Sequence, residues 1–411
     1  MKFYFRFAWR NLWRNKRRTL IATSSIFFAV VMALIMRSMQ FGSYEYMIKN
    51  TVSLYTGYLQ LQGKEYWENR SFDESFEVHN SLLPLLQSQP HIALVNPRLE
   101  TVALLSHHLE TRVSPVVGID PQQENRMTNL QSRIVKGTYL TDSSQGILMA
   151  EGLAERLQVT VGDSVIVFGQ GYQGVTAAEQ IVVEGIIQYP LPQLNNAMIF
   201  LALPKAQILF NAKNRLTSVA MMIDDAKKLY ELQSALSHKI DSSLVIMNWE
   251  EMTPEIVQAI EMDNAGGILM LLILYVIIGF GVFGTVMMMT IERTREFGLL
   301  IALGMKREKL LIVSTIETIF VSMVGAIAGM IGAIPLIAYY HAHPIRLWGE
   351  AAEAMLAWGL EPLMPFSNDP MIFVAQTIVV FFLALVMSLY PLFFIRKLRP
   401  VSAMQGRGGV R

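Results

Sequence analysis

The sequence predicts an α-helical membrane protein: four transmembrane helices with a large α+β extracytoplasmic domain inserted between helices 1 and 2. Three observations lead there. Of 411 residues, 52% are hydrophobic and only 16% charged, against roughly 25% charged in an ordinary soluble domain. The apolar residues are concentrated in four runs instead of being spread over several soluble cores. Between the first two runs lie about 220 residues in which strand-like and helix-like patterns alternate.

A bilayer core about 30 Å thick is crossed by roughly 20 helical residues. Thr19 to Met36 is an uncharged run of 18, Ala265 to Ile291 of 27, Thr318 to Tyr340 of 23 and Met371 to Ile395 of 25. The predicted spans are 19–42, 265–291, 310–340 and 371–395. The first is too long for a signal-peptide core, and Met36-Arg37-Ser38-Met39-Gln40 offers no small-x-small cleavage site, so it is expected to stay as an anchor.

Charge sets the orientation. Residues 1–18, 292–309 and 396–411 hold 17 of the 34 basic residues and 3 of the 33 acids, a net +14, leaving −13 for the rest. Basic loops stay in the cytoplasm. Both termini and segment 292–309 are therefore predicted inside, with 43–264 and the loop 341–370 outside. In residues 1–18, Phe5, Trp9, Leu12 and Trp13 recur at helical spacing beside a row of Arg6, Arg10 and Arg14. That pattern predicts a cytoplasmic helix lying along the membrane interface, its rings at headgroup depth.

In the outer domain, Thr51–Leu61, Ser164–Phe168, Ile181–Ile187 and Ala197–Leu201 read as strands, being rich in β-branched and aromatic residues. Gly152–Leu157, Pro204–Phe210 and Asp225–Lys239 read as helices. The glycines of Gly169-Gln170-Gly171-Tyr172-Gln173-Gly174 mark a hairpin tip. Tyr189-Pro190-Leu191-Pro192 is excluded from a central strand because proline lacks the backbone donor.

Several chemistries are excluded or left without support. There is no cysteine, hence no disulfide, thiolate metal site or cysteine nucleophile. A net charge of +1 does not suit a nucleic-acid-binding surface. No Gly-x-x-x-x-Gly-Lys-Ser/Thr motif is present, so this chain has no P-loop and ATP-driven work needs a partner. Gly279-Phe280-Gly281-Val282-Phe283-Gly284 spells a dinucleotide motif, but in the middle of span 2, where glycines serve close helix packing, as do Gly325, Gly329 and Ala333 in span 3. His107/His108 and His341/His343 have no acidic cluster beside them and read as loop histidines. No catalytic residue, bound cofactor or metal is predicted, and the chain is not expected to be an enzyme.

Two features carry the functional reading. Glu317 is an acid at the edge of a span, eight residues past Lys309 and so about 12 Å along a helix. That places it near the cytoplasmic surface, bonded to a neighbouring loop in a structural or coupling role. Segment 292–309 is the other: Glu292, Arg293 and Glu296 open it, and an apolar strip runs through Phe297, Leu300, Ile301 and Leu303. Such a strip wants a groove on another protein or the inner membrane surface.

At these residues the chain resembles four-span ABC transporter permeases of the MacB, FtsX and LolC/LolE type. Matching stretches are Ala8-Trp9-Arg10-Asn11-Leu12-Trp13-Arg14-Asn15-Lys16-Arg17-Arg18-Thr19, Glu292 to Gly298 with Ala302-Leu303-Gly304, Glu317, and Pro391 through Arg399-Pro400-Val401. Gly118-Ile119-Asp120-Pro121, Lys136-Gly137, Gly152 to Leu157 and Val161-Gly162-Asp163 look like the outer domain of lipoprotein-releasing permeases. The resemblance implies a second identical or homologous permease, two cytoplasmic ABC ATPase subunits that hold ATP and Mg, and transmission of ATP-driven movement through the membrane.

By the same resemblance Glu292 to Met305 is the ATPase-coupling helix, with Arg293, Glu296, Phe297, Gly298, Leu303 and Gly304 in it and Glu317 in support. The outer domain divides into porter-like flanks, 43–98 and 200–264, and an inserted part, 99–199. The tip at Gly169, Gly171, Tyr172 and Gly174 occupies the place of a carrier-hooking hairpin but lacks its proline-bearing extension. The implied function is release of lipoproteins or similar amphiphiles from the bacterial inner membrane, with a periplasmic carrier as a further partner. FtsX-like signalling to a cell-wall hydrolase and MacB-like efflux stay open. Met36, Met39, Phe41, Ile268 and Leu271, in the outer halves of spans 1 and 2, are candidate walls of a cargo cavity.

Overall fold

The computed structural model describes residues 16–79, 81–189, 191–357, 361–387 and 389–397. The interfacial helix predicted for 1–18 lies outside these, apart from Lys16 to Arg18, and so does the tail beyond residue 397. Among the described residues, four helices are long and apolar enough to cross a membrane: Thr19–Thr56, Pro254–Glu292, Arg307–Ala342 and Pro370–Arg396. Two compact units emerge. One combines the described residues up to Glu45 with Ile260–Ile345 and those from Met364; the other is Tyr46–Ala259 with Arg346–Leu363.

In the helical unit, the first and third long helices touch at glycines. A methyl group added at Gly325 would lie 2.8 Å from the Ile26 side chain, and one at Gly329 would lie 2.9 Å from the Phe27 carbonyl. Ala22, Ile26, Val30, Leu34, Val321, Ala326, Ala333 and Ile337 form the buried seam. Small residues therefore bring the two backbones together. Of the other glycines singled out in the sequence, a methyl group added at Gly279 would lie 3.0 Å from the end of the Met387 side chain, while one added at Gly281 or Gly284 would find open space among the described residues. Among the described residues, Gly279 is therefore the one of the three whose missing side chain is filled by a neighbouring helix.

The helices outrun the apolar runs that announce them. The first continues as regular helix from Lys16 to Thr51 and then as a wide π turn, Val52–Thr56, closed when the Gly57 amide donates to the Val52 carbonyl at 2.9 Å. The strand expected over Thr51–Leu61 is confined to its end: β1 is Leu59–Gly63.

The remaining sheet strands are β2 (Ile92–His107), β3 (Glu110–Ile119), β4 (Ile134–Gly137), β5 (Ile147–Ala150), β6 (Ser164–Gln170), β7 (Thr176–Ile187), β8 (Ile199–Ala202), β9 (Ser218–Ile223) and β10 (Leu244–Asn248). They form one mixed sheet in the order β10-β1-β9-β2-β3-β8-β5-β7-β4, with β6 pairing β2 and β7. Both faces are covered at its centre. Ile147, Met149, Ile199 and Leu201 enter one core, and Leu148, Ala150 and Phe200 the other, as the two-residue period of a strand requires.

The boundaries expected between flanks and insert fall within packed elements. The long strand β2 runs straight through the expected boundary at residue 99 and pairs with β9 on one side and β3 on the other. Helix Leu203–Leu209 and Phe210, expected in the flank, pack into the core of the inserted part through Ala206 and Phe210. Between β3 and β4 lies helix Pro121–Thr128. Asp120 caps it, accepting from the Gln122 and Gln123 amides at 3.0 Å, and Pro121 opens it, so the Asp-Pro pair of the sequence is a helix start.

Candidate functional site

The segment after the second long helix turns back on its own unit. Helix Thr294–Ala302 lays Phe297 against Leu310, Leu311 and Ile395, with Leu300, Ile301 and Met305 packed around the same cluster. Phe297 and Gly298 are buried. The apolar strip that the sequence offered to another protein is therefore mostly consumed within this chain. Arg295, Glu296, Leu299 and Leu303 are exposed instead, Leu303 at 76% and Leu299 at 49%. Residues 295, 299 and 303 recur every fourth position and so share a helix face.

Arg293 ties this segment down. Its guanidinium donates to the Glu317 carboxylate on the third long helix, lies 3.5 Å from Glu296, and sits 5.3 Å from the centre of the Phe297 ring. Glu317 is thereby placed as an anchor for the loop. Glu292 lies exposed at the end of the second long helix. Gly304, at φ +92°, makes the turn that lets the Gly304 and Met305 amides donate to the Ile301 and Leu300 carbonyls, both at 3.0 Å; only glycine adopts that conformation without strain.

The cavity candidates do not converge. Leu271 is buried, Met39 and Phe41 pack on the core of the helical unit, Met36 is half-buried and Ile268 is half exposed. Where a cavity was expected between the first two helices, polar side chains join them. Arg37 donates to Asn264 at 2.9 Å, the Tyr44 hydroxyl donates to Asp263 at 2.6 Å, and Gln40 covers Gly267. No local sequence signal announces this cluster beyond charges at the ends of two apolar runs. An open groove of about 460 Å³ lies between the second and fourth helices, lined by Leu272, Tyr275, Phe280, Phe283 and Met387.

The hairpin tip is bonded to other parts of its domain. Between β6 and β7 the chain makes a tight turn at Tyr172–Gly174 whose Tyr172 amide donates to the Phe210 carbonyl at 2.9 Å. The Gln173 amide donates to Asp73, and Arg215 stacks 4.0 Å from the Tyr172 ring centre. Gly171 is pressed on Phe210, where a methyl group would lie 2.5 Å from its carbonyl oxygen; Gly169 is packed beside Ala103. Gly174, at φ +76°, completes the turn. The loop is thus tied to the rest of its domain through Phe210, Asp73 and Arg215, while Gln173 to Thr176 stay exposed.

Titratable groups fit structural roles. Asp163 caps the Thr160 turn, and the Thr160 backbone amide and hydroxyl hold its carboxyl below the ordinary value. His107 faces the Leu157 carbonyl and His341 the Phe366 carbonyl. Among the described residues no cluster of histidine and carboxylate side chains could hold a metal ion.

Comparison with known proteins bears on the same regions. A family described as FtsX-like permease C-terminal matches residues 268–400, and one described as MacB-like periplasmic core domain matches residues 19–239. The lipoprotein-releasing system transmembrane protein LolE of Haemophilus influenzae is 23% identical over 171 residues, covering 40% of this chain and 41% of LolE. The likeness thus spans about two fifths of each protein. Among solved structures, the extracellular domain of the noncanonic ABC-type transporter YknZ from Gram-positive bacteria aligns with 46% of this chain and 99% of its own length, at 14% identity and a TM-score of 0.34. The periplasmic region of MacB from Actinobacillus actinomycetemcomitans covers 51% of this chain and 94% of its own, at 18% identity and a TM-score of 0.35.

Proposed function

Because this chain belongs to the MacB/FtsX/LolE family of ABC-transporter permeases, we propose that it couples ATP hydrolysis on a partner subunit to extraction of lipoproteins, or similar amphiphiles, from the bacterial inner membrane. Permeases of this family are transporter subunits that work with cytoplasmic ATPases and as dimers. The chain itself binds no cofactor; ATP and Mg stay in the two ATPase copies. Both termini face the cytoplasm in this reading, following the +14 charge of the three basic segments.

The observation that carries the proposal is the seating of helix Thr294–Ala302. Its inner face is fixed by Phe297 and by the Arg293–Glu317 pair, and its outer face presents Arg295, Leu299 and Leu303. A mere connector needs neither the anchor nor the exposed leucines. An element rigidly attached to membrane helices and apolar on its free side suits a docking surface for a force-producing subunit. Lipoprotein as cargo draws support from the LolE likeness. An acyl anchor gains about 0.8 kcal/mol per buried CH₂, so its removal from lipid has to be driven.

The test is affinity purification of the full chain from its own membranes in mild detergent, with mass spectrometry of bound protein and lipid. An ABC ATPase together with acylated protein is the expected catch. A soluble cell-wall hydrolase with no acylated protein would shift the assignment to signalling, and recovery of no ATPase would overturn it.

A further inference from the structure

At the end of the first long helix, two carbonyls are caught from the side by groups that lie far away in the sequence. The π turn Val52–Thr56 widens the helix by a residue, and the last carbonyls of any helix lack intrahelical donors. The Tyr189 hydroxyl donates to the Leu54 carbonyl at 2.8 Å, and the Arg98 guanidinium donates to the Tyr55 carbonyl. A cation at that position also complements the negative end of the helix dipole.

Arg98 is held as firmly as a side chain can be. It is 1% exposed, as is Glu124, and the two meet as a fork: Nε to Oε2 at 2.8 Å and Nη2 to Oε1 at 2.7 Å. Asn96 donates to the same carboxylate at 2.7 Å. Two residues along β2, Glu100 accepts from the Tyr55 and Tyr66 hydroxyls at 2.9 and 3.0 Å and from Ser218 at 3.3 Å. Asn96, Arg98 and Glu100 alternate along one face of β2, so the sheet presents three polar groups in a row to the turn. Burial alone would lower the Arg98 pKa, but the charge and hydrogen bonds of Glu124 hold it above its ordinary value, so the cation persists.

A fully buried ion pair is a poor device for stability alone, since desolvation offsets most of the attraction; it is better suited to fixing one geometry. We infer that Arg98, oriented by Glu124 and assisted by Tyr189, is a positioning residue that clamps the π turn to the sheet, so that movement of the first long helix is delivered to the outer domain. The inference rests on the transporter reading only in its last clause. The clamp itself is a property of the outer unit, where all these residues lie.

The chain has no native cysteine, so spin labels can be placed at will. Lys49→Cys on the helix end and Gln122→Cys on helix Pro121–Thr128 are both exposed. In the full chain in lipid nanodiscs, double electron–electron resonance should give one narrow distance. Arg98→Met should broaden it strongly, Arg98→Lys less, and Tyr189→Phe, which loses a single hydrogen bond, least. In the complex purified with its own ATPase, hydrolysis should stay within about twofold. Release of acylated protein per ATP should fall about tenfold in Arg98→Met and about threefold in Tyr189→Phe.

A distance distribution unchanged in both Arg98→Met and Tyr189→Phe overturns the clamp, whatever the complex transports. If Arg98→Met does not fold, Tyr189→Phe with Arg98→Lys decides alone. A broadened distance with full release per ATP overturns the delivering role. Absence of any ATPase overturns the transporter reading and leaves the label result standing.

Discussion

Replacing Glu317 by leucine removes the partner that holds Arg293, and the structure sets the size of the effect. The two side chains are 12% and 17% exposed. Breaking a fully buried pair costs about 3–5 kcal/mol, whereas an exposed one is worth about 0–1 kcal/mol. Arg293 retains Glu296 at 3.5 Å as a second partner, which brings the expectation to about 2 kcal/mol of local opening, or roughly 30-fold. Glu317→Gln keeps an acceptor and loses only the charge, about 1 kcal/mol or roughly fivefold. Hydrogen exchange of the Thr294–Ala302 amides in nanodiscs reads this directly, since the Phe297 amide bonds to the Arg293 carbonyl at 2.9 Å. A double-mutant cycle with Arg293→Met completes the test. Exchange unchanged in Glu317→Leu, or single effects that simply add in the double variant, would refute the anchoring of the segment by this pair.

The two faces of the same helix predict opposite phenotypes: Leu303→Asp should change thermal unfolding of the chain by less than about 0.5 kcal/mol yet abolish ATPase copurification, whereas Phe297→Ala should cost about 3 kcal/mol or more. Equal loss of ATPase with no loss of stability in both would place Phe297 on the outer face after all. Gly325→Leu drives a side chain into Ile26, overpacking by about 1–3 kcal/mol; hydrolysis by the complex should continue while release of acylated protein falls, and normal release would count against that helix contact. Tyr172→Ala frees the hairpin tip from Arg215 at a cost of about 1 kcal/mol, so limited proteolysis within 169–176 should quicken roughly fivefold; an unchanged rate means the tip was never docked. For Asp163 the folded pKa lies below the unfolded one, so its contribution is full above the ordinary carboxylate range and is lost as pH falls through the depressed value. The gap in thermal stability between the parent and Asp163→Asn should therefore close on acidification, and a gap constant from about pH 6 to about pH 2 would contradict the cap.

What the sequence made legible follows from the range of the forces involved. Apolar runs such as Ala265 to Ile291 reveal a span because hydropathy is a local property, yet they mark where lipid contact ends and not where the helix does. The first long helix runs on past Arg37, Glu45 and Lys49 because backbone hydrogen bonds continue while polar side chains find partners: Arg37 with Asn264, Glu45 with Ser367. Thr51 to Thr56 has the β-branched and aromatic content of a strand, but its carbonyls are caught by Arg98 and Tyr189, groups 43 and 135 residues away, and propensity yields to such contacts. The hairpin glycines marked the turn; what the turn bonds to depended on Phe210 and Asp73, far away in the sequence. Asn96, Arg98 and Glu100 did leave a trace, a polar alternation in a strand otherwise flanked by apolar residues, and only the fold shows that the polar face points inward.

The apolar strip after the second helix shows the same limit from the other side. An amphipathic segment must bury its apolar face, and the pattern alone does not say whether the cover is the chain itself or a partner. Here Leu310, Leu311 and Ile395 are the cover, which changes how the segment can act. Were Phe297 inserted into an ATPase, the segment would be held by its partner and loosely tied to the membrane helices. Seated on the third and fourth helices and pinned by Arg293 to Glu317, it instead moves with them. The third helix is in turn closed on the first, where Gly325 and Gly329 receive Ile26 and Val30 with no room for a further methyl group, and close-packed interiors transmit strain. In the proposed coupling, a push on Arg295, Leu299 and Leu303 would therefore reach the part of the first long helix that lies in the same unit through direct packing.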